Sequence, residues 1–245
     1  MKQNIINYIS FGYIYLVLIS FIVFQDLLTF YILLQNTLFF LIISLIIFYF
    51  HIKYSQKSFT YASIITYSRT IINILLLSII INIESFNIVN DRNNYTNVLA
   101  FIFFISLILD AIDGFLARFL NQVSEFGKKF DLEIDTFLLC LLTFSLYKNF
   151  NVGLYVFLIP LFRYVFFILQ FRFEWLNSSL PESFRRKFIC SGVSILLICC
   201  HLSDLNKSLI MAAIISSILL ITFSFLKDII WLYMNNREFK NESTQ

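Results

Sequence analysis

The chain has 245 residues, of which 59% are hydrophobic and only 13% are charged, and its mean hydropathy is +0.82. This composition excludes an ordinary soluble domain and is typical of a polytopic membrane protein. The formal net charge of +3 is too small to indicate a nucleic-acid partner. With only two prolines and five glycines the sequence shows no flexible linker, and it predicts one membrane domain.

Apolar runs long enough to span a bilayer occur eight times along the chain. In chain order they cover 8–24, 28–50, 64–83, 98–117, 131–147, 152–171, 188–202 and 209–234. Backbone groups in hydrocarbon must be hydrogen-bonded within their own segment, so each run is predicted to be a helix. The runs 131–147 and 188–202 are short and are expected to extend into their flanking loops. The predicted fold class is therefore an all-α polytopic membrane protein.

Lysine and arginine placement predicts the orientation of these runs. With the N-terminus inside, twelve basic residues lie inside and three outside. The inner group is Lys2, Lys53, Lys57, Arg118, Lys128, Lys129, Arg172, Arg185, Arg186, Lys187, Arg237 and Lys240, and the outer group is Arg92, Lys148 and Lys207. This asymmetry also favours an even number of spans.

Acidic residues are concentrated between positions 110 and 135, beside long apolar runs. They are Asp110, Asp113, Asp131, Glu133 and Asp135. Charged groups next to hydrocarbon are costly, so they are rare and usually functional. On helices, the first two aspartates share one face, and so do Asp131 and Asp135. Two such helix ends brought together would direct four carboxylates at one point, which shared protons or metal ions must compensate. A hard cation such as Mg²⁺ or Mn²⁺ suits an all-carboxylate site.

The spacing of this segment resembles the signature of the CDP-alcohol phosphotransferases (CDP-alcohol phosphatidyltransferases, class I). The matching pattern is Asp110-x2-Asp113-Gly114-x2-Ala117-Arg118-x8-Gly127-x3-Asp131-x3-Asp135. Eight positions agree in residue type and spacing, and at roughly one in twenty per position chance agreement is negligible. An unrelated helix pair whose carboxylates merely cap the intervening loop would not need the glycine, alanine and arginine matches.

The resemblance implies the architecture and the reaction. It implies a six-helix core within residues 51–234, an additional N-terminal pair of transmembrane helices within 1–50, and a polar tail at 235–245. The reaction would be displacement at the β-phosphorus of a CDP-linked alcohol, commonly CDP-diacylglycerol, by a small alcohol, with CMP released, in phospholipid biosynthesis. The enzyme would be a multi-pass protein of a bacterial inner membrane, in contact with membrane lipid, with its active site facing the cytoplasm.

Roles for the acidic residues also follow from the resemblance. Asp110, Asp113, Asp131 and Asp135 would hold two ions of Mg²⁺ or Mn²⁺. Two metals about 3.5–4 Å apart can stabilise both the attacking and the leaving oxygen of an in-line displacement. Asp135 would in addition be the catalytic base that accepts the proton of the acceptor hydroxyl, because neighbouring metal ions would keep it anionic.

The nucleotide would be bound by smaller and basic residues of the same pattern. Gly114 and Ala117 would leave room for the cytidine and its phosphates, and Arg118 would neutralise pyrophosphate charge. Gly127 would allow close passage at the turn between the two acidic helices. Thr66 is expected to contact the nucleotide as well, because it belongs to a segment that resembles the start of the first core helix of the family.

Arg69 follows Thr66 by three residues, and two interpretations of it stay open. It is either a residue of the phosphate site or an arginine that anchors the end of its helix at the interface. Ser63 stands where the family usually has an asparagine.

A second basic group lies between positions 163 and 187. Arg163 lies inside an apolar run, where an arginine needs a partner. For Arg185, Arg186 and Lys187 two interpretations stay open: positive-inside topology with attraction to anionic headgroups, or a pocket for a phosphate group. The second makes Arg69, Arg163, Arg185 and Arg186 candidate acceptor residues and favours glycerol 3-phosphate or another polyol phosphate as acceptor.

Two other functions compete with this one. A cation transporter or channel could use intramembrane aspartates as its ion site, but the acidic residues cluster at one edge of the spans and the spans lack helix-breaking Gly/Pro pairs. A non-catalytic membrane scaffold would not need the intact motif. Relatives in the family are often homodimers, so a homodimer is an expectation that rests on the resemblance alone.

Overall fold

In the computed structural model, the described residues are 2–24, 30–53, 61–82, 92–120, 124–177, 184–202 and 205–242. These residues form eight α-helices and contain no β-strand, so the predicted all-α class is confirmed. In chain order the helices are α1 (Lys2–Val23), α2 (Phe30–Lys53), α3 (Tyr61–Ile81), α4 (Arg92–Phe119), α5 (Glu125–Phe150), α6 (Leu158–Arg172), α7 (Phe184–Cys199) and α8 (Lys207–Glu242).

Four segments are long and apolar enough to cross a membrane, which makes the chain an integral membrane protein as predicted. They are Phe30–Tyr49, Ser63–Ile81, Asn94–Phe119 and Lys207–Asn235. Among the described residues, two further apolar helical segments are shorter, Ile9–Val23 and Leu154–Gln170. Each of the eight predicted runs overlaps one of the described α-helices. That the other four helices also span the membrane stays a prediction.

The run predicted at 152–171 does not form one continuous α-helix. Asn151 has a left-handed backbone with φ of 50°, and Gly153 is extended, so the chain turns before it becomes helical. A 3₁₀ turn at Leu154–Phe157 then leads into α6. Pro160 falls in the first turn of α6, where its missing N–H breaks no intrahelical hydrogen bond.

The segment predicted as a polar tail, 235–245, continues α8 as far as Glu242, and residues 243–245 lie outside the described part of the chain. Its Arg, Glu and Lys residues are good helix formers, so polarity ends the apolar stretch without ending the helix.

The chain divides into two compact units, Met1–Leu141 and Leu142–Gln245, and the boundary lies within α5. In the first unit, α3 packs on α4 and also on α1 and α2. Its apolar core draws on four helices and comprises Leu16, Phe24, Ile32, Phe40, Ile47, Tyr67, Ile71, Ile74, Leu75, Phe126, Phe130 and Ile134. The predicted division at residues 50 and 234 separates an N-terminal helix pair, a family core and a polar tail, whereas the two compact units are defined by contacts. The predicted division stays a prediction.

In the second unit, α8 packs on α6 and α7. A buried polar group joins the end of α5 to the segment after α7: His201 Nε2 lies 2.9 Å from Ser145 Oγ, and Asn149 donates to the same oxygen. Since His201 Nδ1 lies 2.9 Å from the carbonyl oxygen of Leu197, the two ring nitrogens of this buried histidine are both satisfied.

Candidate functional site

Thr66 and Arg69 project from α3 toward α4. Spaced three apart, they lie near each other on one face of the helix, and both are buried, Arg69 completely. Thr66 Oγ1 donates a hydrogen bond of 2.8 Å to Asp113 Oδ2. One turn further along, Asn73 accepts a hydrogen bond of 2.9 Å from Ser106 of α4. These two buried contacts fix the register of α3 against α4.

Asp131 and Asp135 are oriented by the start of α5. Ser124 precedes the helix, and its Oγ accepts a hydrogen bond of 3.0 Å from the backbone N–H of Gly127. That is the position of an N-cap, which satisfies one of the free N–H groups of the first turn. A Cβ on Gly127 would stand only 3.0 Å from Ser124 Oγ, so the glycine leaves room for the cap. Gly127, a position of the family-like pattern, therefore also has a local structural role at the start of α5.

Arg69 is the centre on which the acidic residues converge. Its Nη1 forms an ion pair with Asp110 and lies 3.8 Å from Asp113 Oδ2. Its Nη2 donates to Asp131 Oδ1 and Asp135 Oδ1, each at 2.9 Å. The structure thus brings the four aspartates of two helices around one guanidinium. An arginine snorkelling to the interface would keep its head exposed, whereas this one has no exposed surface.

The carboxylates differ in how far they are exposed. The side chain of Asp113 is 4% exposed, that of Asp110 27%, that of Asp131 38% and that of Asp135 43%. The group therefore has a closed side, at Asp113 and Arg69, and an open side, formed by the two aspartates of α5. A ligand approaches such a group from the open side.

Three of the carboxylates fit a divalent cation. One oxygen from each of Asp110, Asp113 and Asp131 lies within 4.8 Å of the others. Opposite ligands of an octahedral Mg²⁺ ion are about 4.2 Å apart, so small side-chain movements would close the set around an ion. An all-oxygen donor set of this kind suits hard cations. Asp135 shares the Arg69 nitrogen with Asp131 and so stands at the edge of the same group.

Of the remaining motif residues of α4, Gly114 directly follows Asp113, and Ala117 and Arg118 lie one turn further along. A Cβ on Gly114 would lie 3.5 Å from Arg118 Nη1, so the guanidinium folds back over the glycine. Ala117 lies between them in sequence and is partly buried. The three predicted nucleotide residues of α4 thus lie on one short face of the helix, whereas the other two, Thr66 and Gly127, belong to α3 and α5.

Arg185 and Arg186 meet a partner that sequence reasoning missed, Asp228 of α8. Arg185 Nη2 donates to Asp228 Oδ1 at 2.6 Å, and its Nη1 also bonds Ser224. Arg186 Nη1 lies 3.8 Å from the second oxygen of Asp228. Arg163 is partly buried within α6. The signal for Asp228 was present in the sequence, because an acid within an apolar run requires a partner.

Residues 59–223 match the protein family described as CDP-alcohol phosphatidyltransferase. The match covers about two thirds of the chain and includes α3, α4, α5 and all of the acidic motif. The chain belongs to this family.

Membership in the CDP-alcohol phosphatidyltransferase family makes the chain a membrane-embedded transferase that acts on a CDP-alcohol, and the aspartates are its candidate metal site. The helices α1 and α2 precede the matched residues. Comparisons with curated proteins and with solved structures found no match.

Proposed function

We propose that this protein transfers a substituted phosphate, commonly a phosphatidyl group, from a CDP-linked alcohol to the hydroxyl of a small alcohol and releases CMP. CDP-diacylglycerol is the proposed donor, and phospholipid biosynthesis is the proposed context. The observation that carries the proposal is the convergence of Asp110, Asp113, Asp131 and Asp135 around Arg69, in a chain of this family.

Charge balance supports divalent cations at this group. Four ionised carboxylates and one guanidinium leave three uncompensated negative charges, and the donor pyrophosphate adds more. Uncompensated anions beside hydrocarbon are strongly unfavourable. Asp110, Asp113, Asp131 and Asp135 would hold the ions, Mg²⁺ or Mn²⁺, which would supply positive charge to stabilise the pyrophosphate and the reacting oxygens.

Asp135 is the proposed base. It is the most exposed of the four aspartates, so an acceptor hydroxyl can reach it, whereas Asp113 is buried and bonded to Thr66. The acceptor oxygen forms the new bond to the β-phosphorus while its proton passes to an Asp135 carboxylate oxygen. The bond from that phosphorus to the CMP oxygen breaks, and CMP leaves as the anion. General-base catalysis of this kind contributes typically about 10²–10⁴-fold in rate.

The nucleotide is proposed to lie along the α4 surface formed by Gly114, Ala117 and Arg118. The guanidinium of Arg118 already lies over Gly114, where it can meet a phosphate that approaches the glycine backbone. Thr66 and Gly127 would contribute indirectly. Thr66 orients Asp113 through a hydrogen bond, and Gly127 leaves room for the Ser124 hydroxyl that caps α5.

A phosphorylated acceptor, such as glycerol 3-phosphate or another polyol phosphate, is proposed from the basic group of the second unit. Arg185 and Arg186 place two guanidinium groups side by side, both close to Asp228. Guanidinium groups bind phosphate in bidentate geometry. Arg163 belongs to the same proposal, and Arg69 is a weaker candidate because the aspartates already hold its guanidinium.

The reaction is tested on full-length protein purified in detergent, with CDP-diacylglycerol, Mg²⁺ or Mn²⁺, and one alcohol at a time. We expect metal-dependent CMP release with one acceptor, and a lipid product whose mass identifies that acceptor. Asp135→Asn should lower the rate at least about a hundredfold, and Glu133→Gln on the same helix should not. An absence of CMP release with every acceptor would favour an ion-conducting or scaffolding role.

The acceptor is tested with Arg186→Gln. If the basic group holds the acceptor phosphate, this variant raises the KM for glycerol 3-phosphate about tenfold or more and leaves the KM for CDP-diacylglycerol unchanged. A uniform loss of stability with both KM values unchanged would contradict the proposal and leave the basic group as a structural link to Asp228.

The proposed location is a bacterial inner membrane, with the carboxylates facing the cytoplasm. Family membership and the four apolar segments support the membrane, and the distribution of lysine and arginine supports the orientation. A homodimer is proposed on the likeness to the family alone.

A further inference from the structure

A close contact between α1 and α3 lies behind the carboxylates. Gly12 of α1 rests against the ring of Tyr67 in α3. A Cβ added to Gly12 would stand 2.3 Å from both Cε1 and Oη of Tyr67, and real Cβ atoms essentially never come within 3.0 Å of a neighbour. With the ring in this position, only glycine fits at residue 12.

Aromatic neighbours hold the Tyr67 ring in place. Tyr67 is 8% exposed, and its ring meets Phe40 of α2 edge-on, with centroids 6.3 Å apart. Phe40 in turn lies against Tyr13 of α1, with centroids 5.6 Å apart. The ring therefore cannot swing aside without displacing other packed aromatic groups. Both N-terminal helices take part in this contact.

Helix geometry connects this contact with the functional residues of α3. At about 100° per residue, Tyr67 lies about 160° around the helix from Arg69. One face of α3 thus directs Arg69 and Thr66 at the carboxylates, while the opposite face receives α1 and α2 through Tyr67, Ile71 and Ile74. A rotation or shift of α3 at Tyr67 would move the other face by a similar amount.

The second acidic helix belongs to the same packing. Phe126, Phe130 and Ile134 of α5 lie in one apolar cluster with Phe40 and Tyr67. Two of these α5 residues immediately precede the aspartates at positions 131 and 135. The cluster that contains the N-terminal helices therefore supports α3, which carries Arg69, and α5, which carries two of the aspartates that Arg69 contacts.

We propose that α1 and α2 position the metal site, and that Gly12 and Tyr67 are the positioning residues. The packing of Tyr67 against Gly12 fixes the rotation and position of α3. In that position Thr66 orients Asp113, and Arg69 contacts all four aspartates. This assigns a function to two helices that precede the residues matched by the family. It rests on the proposed function for its catalytic meaning, while its geometric claim is testable without substrate.

The test is Mn²⁺ binding to the full-length protein in detergent, measured by the EPR signal of free Mn²⁺, for Gly12→Ala beside Gly192→Ala. Both glycines lie within helices, where alanine is the better helix former, but a Cβ on Gly192 meets nothing within 4 Å. Losing the residues that orient metal ligands typically costs 10–100-fold in affinity. We expect Gly12→Ala to weaken Mn²⁺ binding threefold or more and Gly192→Ala to change it less than threefold.

A double variant distinguishes a positioning role of Gly12 from a general loss of stability. In a Tyr67→Ala background the clash is absent, so adding Gly12→Ala should change Mn²⁺ affinity less than threefold. If Gly12→Ala fails to fold, Phe40→Leu is the alternative variant. It removes the aromatic ring that packs against Tyr67, and it is also expected to weaken Mn²⁺ binding. The proposal is overturned if the Mn²⁺ affinity of the folded variants stays within threefold of wild type. It is also overturned if Gly12→Ala weakens binding equally in the wild-type and Tyr67→Ala backgrounds. If the wild type binds Mn²⁺ but releases no CMP, the proposed reaction fails while this result can still be interpreted.

Discussion

Arg69 is the residue on which the account of the site depends most. It is the only described guanidinium that contacts the acidic motif's four aspartates, and its side chain has no exposed surface. Removing one partner from a buried ion pair leaves uncompensated charge, which costs about 3–5 kcal/mol. Here the group left behind would be four carboxylates.

Arg69→Gln should therefore lower the free energy of unfolding by about 3–5 kcal/mol in EDTA. For a chain of this length that corresponds to a Tm lowered by roughly 10 °C. Added Mn²⁺ should restore part of the loss, because it supplies the missing positive charge. Thermal unfolding in detergent, with and without Mn²⁺, measures both effects. The control is Lys128→Gln, which removes an exposed ion pair with Glu125 and should change Tm little. An equal effect of the two substitutions would contradict the central place of Arg69.

At the residue scale, the sequence was sufficient to predict which aspartates come together. Their spacing on two helices determines shared faces, and that information is local. It was insufficient for Arg69, because a buried ion pair and an exposed helix anchor look alike until the approach of α3 to α4 and α5 is known. Asp228 was missed for the same reason, since its partners Arg185 and Arg186 lie on another helix.

At the scale of the element, the beginning of α5 decides where two of the aspartates point. Asp131 and Asp135 lie within the first three turns after Ser124, whose hydroxyl accepts the N–H of Gly127. A helix that begins one residue later or frays at this end would rotate or release both carboxylates. The cap therefore links a local hydrogen bond to the geometry at Arg69.

Ser124→Ala should cost about 1 kcal/mol of stability, the typical value of an N-cap, and lower Tm by about 2–4 °C. CMP release should fall more than this modest loss of stability explains, because the aspartates of α5 become less well fixed. The matched control is Ser191→Ala on α7, whose exposed hydroxyl bonds only the carbonyl of Lys187 in its own helix. Similar behaviour of the two serine variants would show that the cap does not matter to the site.

Element boundaries show where sequence reasoning is sufficient and where it is not. The apolar runs identified every α-helix in the described part of the chain, since hydrocarbon permits little else. They did not identify the turn before α6, which depends on the left-handed backbone of Asn151, or the polar continuation of α8 to Glu242. The cap at Ser124 was visible in principle, because serine before an acidic first turn is a common helix start.

At the scale of the whole molecule, the polytopic helical class followed from composition, whereas the division within α5 did not. Composition reports only that the surroundings are apolar. Which helices form a compact unit depends on tertiary contacts, and in the first unit α1 and α2 share a core with α3 and α5. The sequence had assigned these two helices to a separate segment.

The predicted orientation is also a property of the whole molecule. Lys128 and Lys207 are both exposed, and the positive-inside rule assigns them to opposite sides. In a chain whose native cysteines are replaced, Lys128→Cys should react with a membrane-impermeant thiol reagent only from the cytoplasmic side, and Lys207→Cys only from the other side. Labelling of both positions from the same side would contradict the orientation and with it the cytoplasmic active site.

Above all, we propose that the aspartates of α4 and α5 form one metal-dependent transfer site. The most direct measurement is CMP release from CDP-diacylglycerol, with and without Mn²⁺, by wild type, Asp113→Asn and Glu133→Gln. We predict that the wild type needs the metal ion and that the rate of Glu133→Gln stays within threefold of it. Asp113→Asn should lose at least about a hundredfold in rate, because a proposed metal ligand and the Thr66 contact are both changed. Release that persists in EDTA, or that falls equally in the two variants, would contradict the claim.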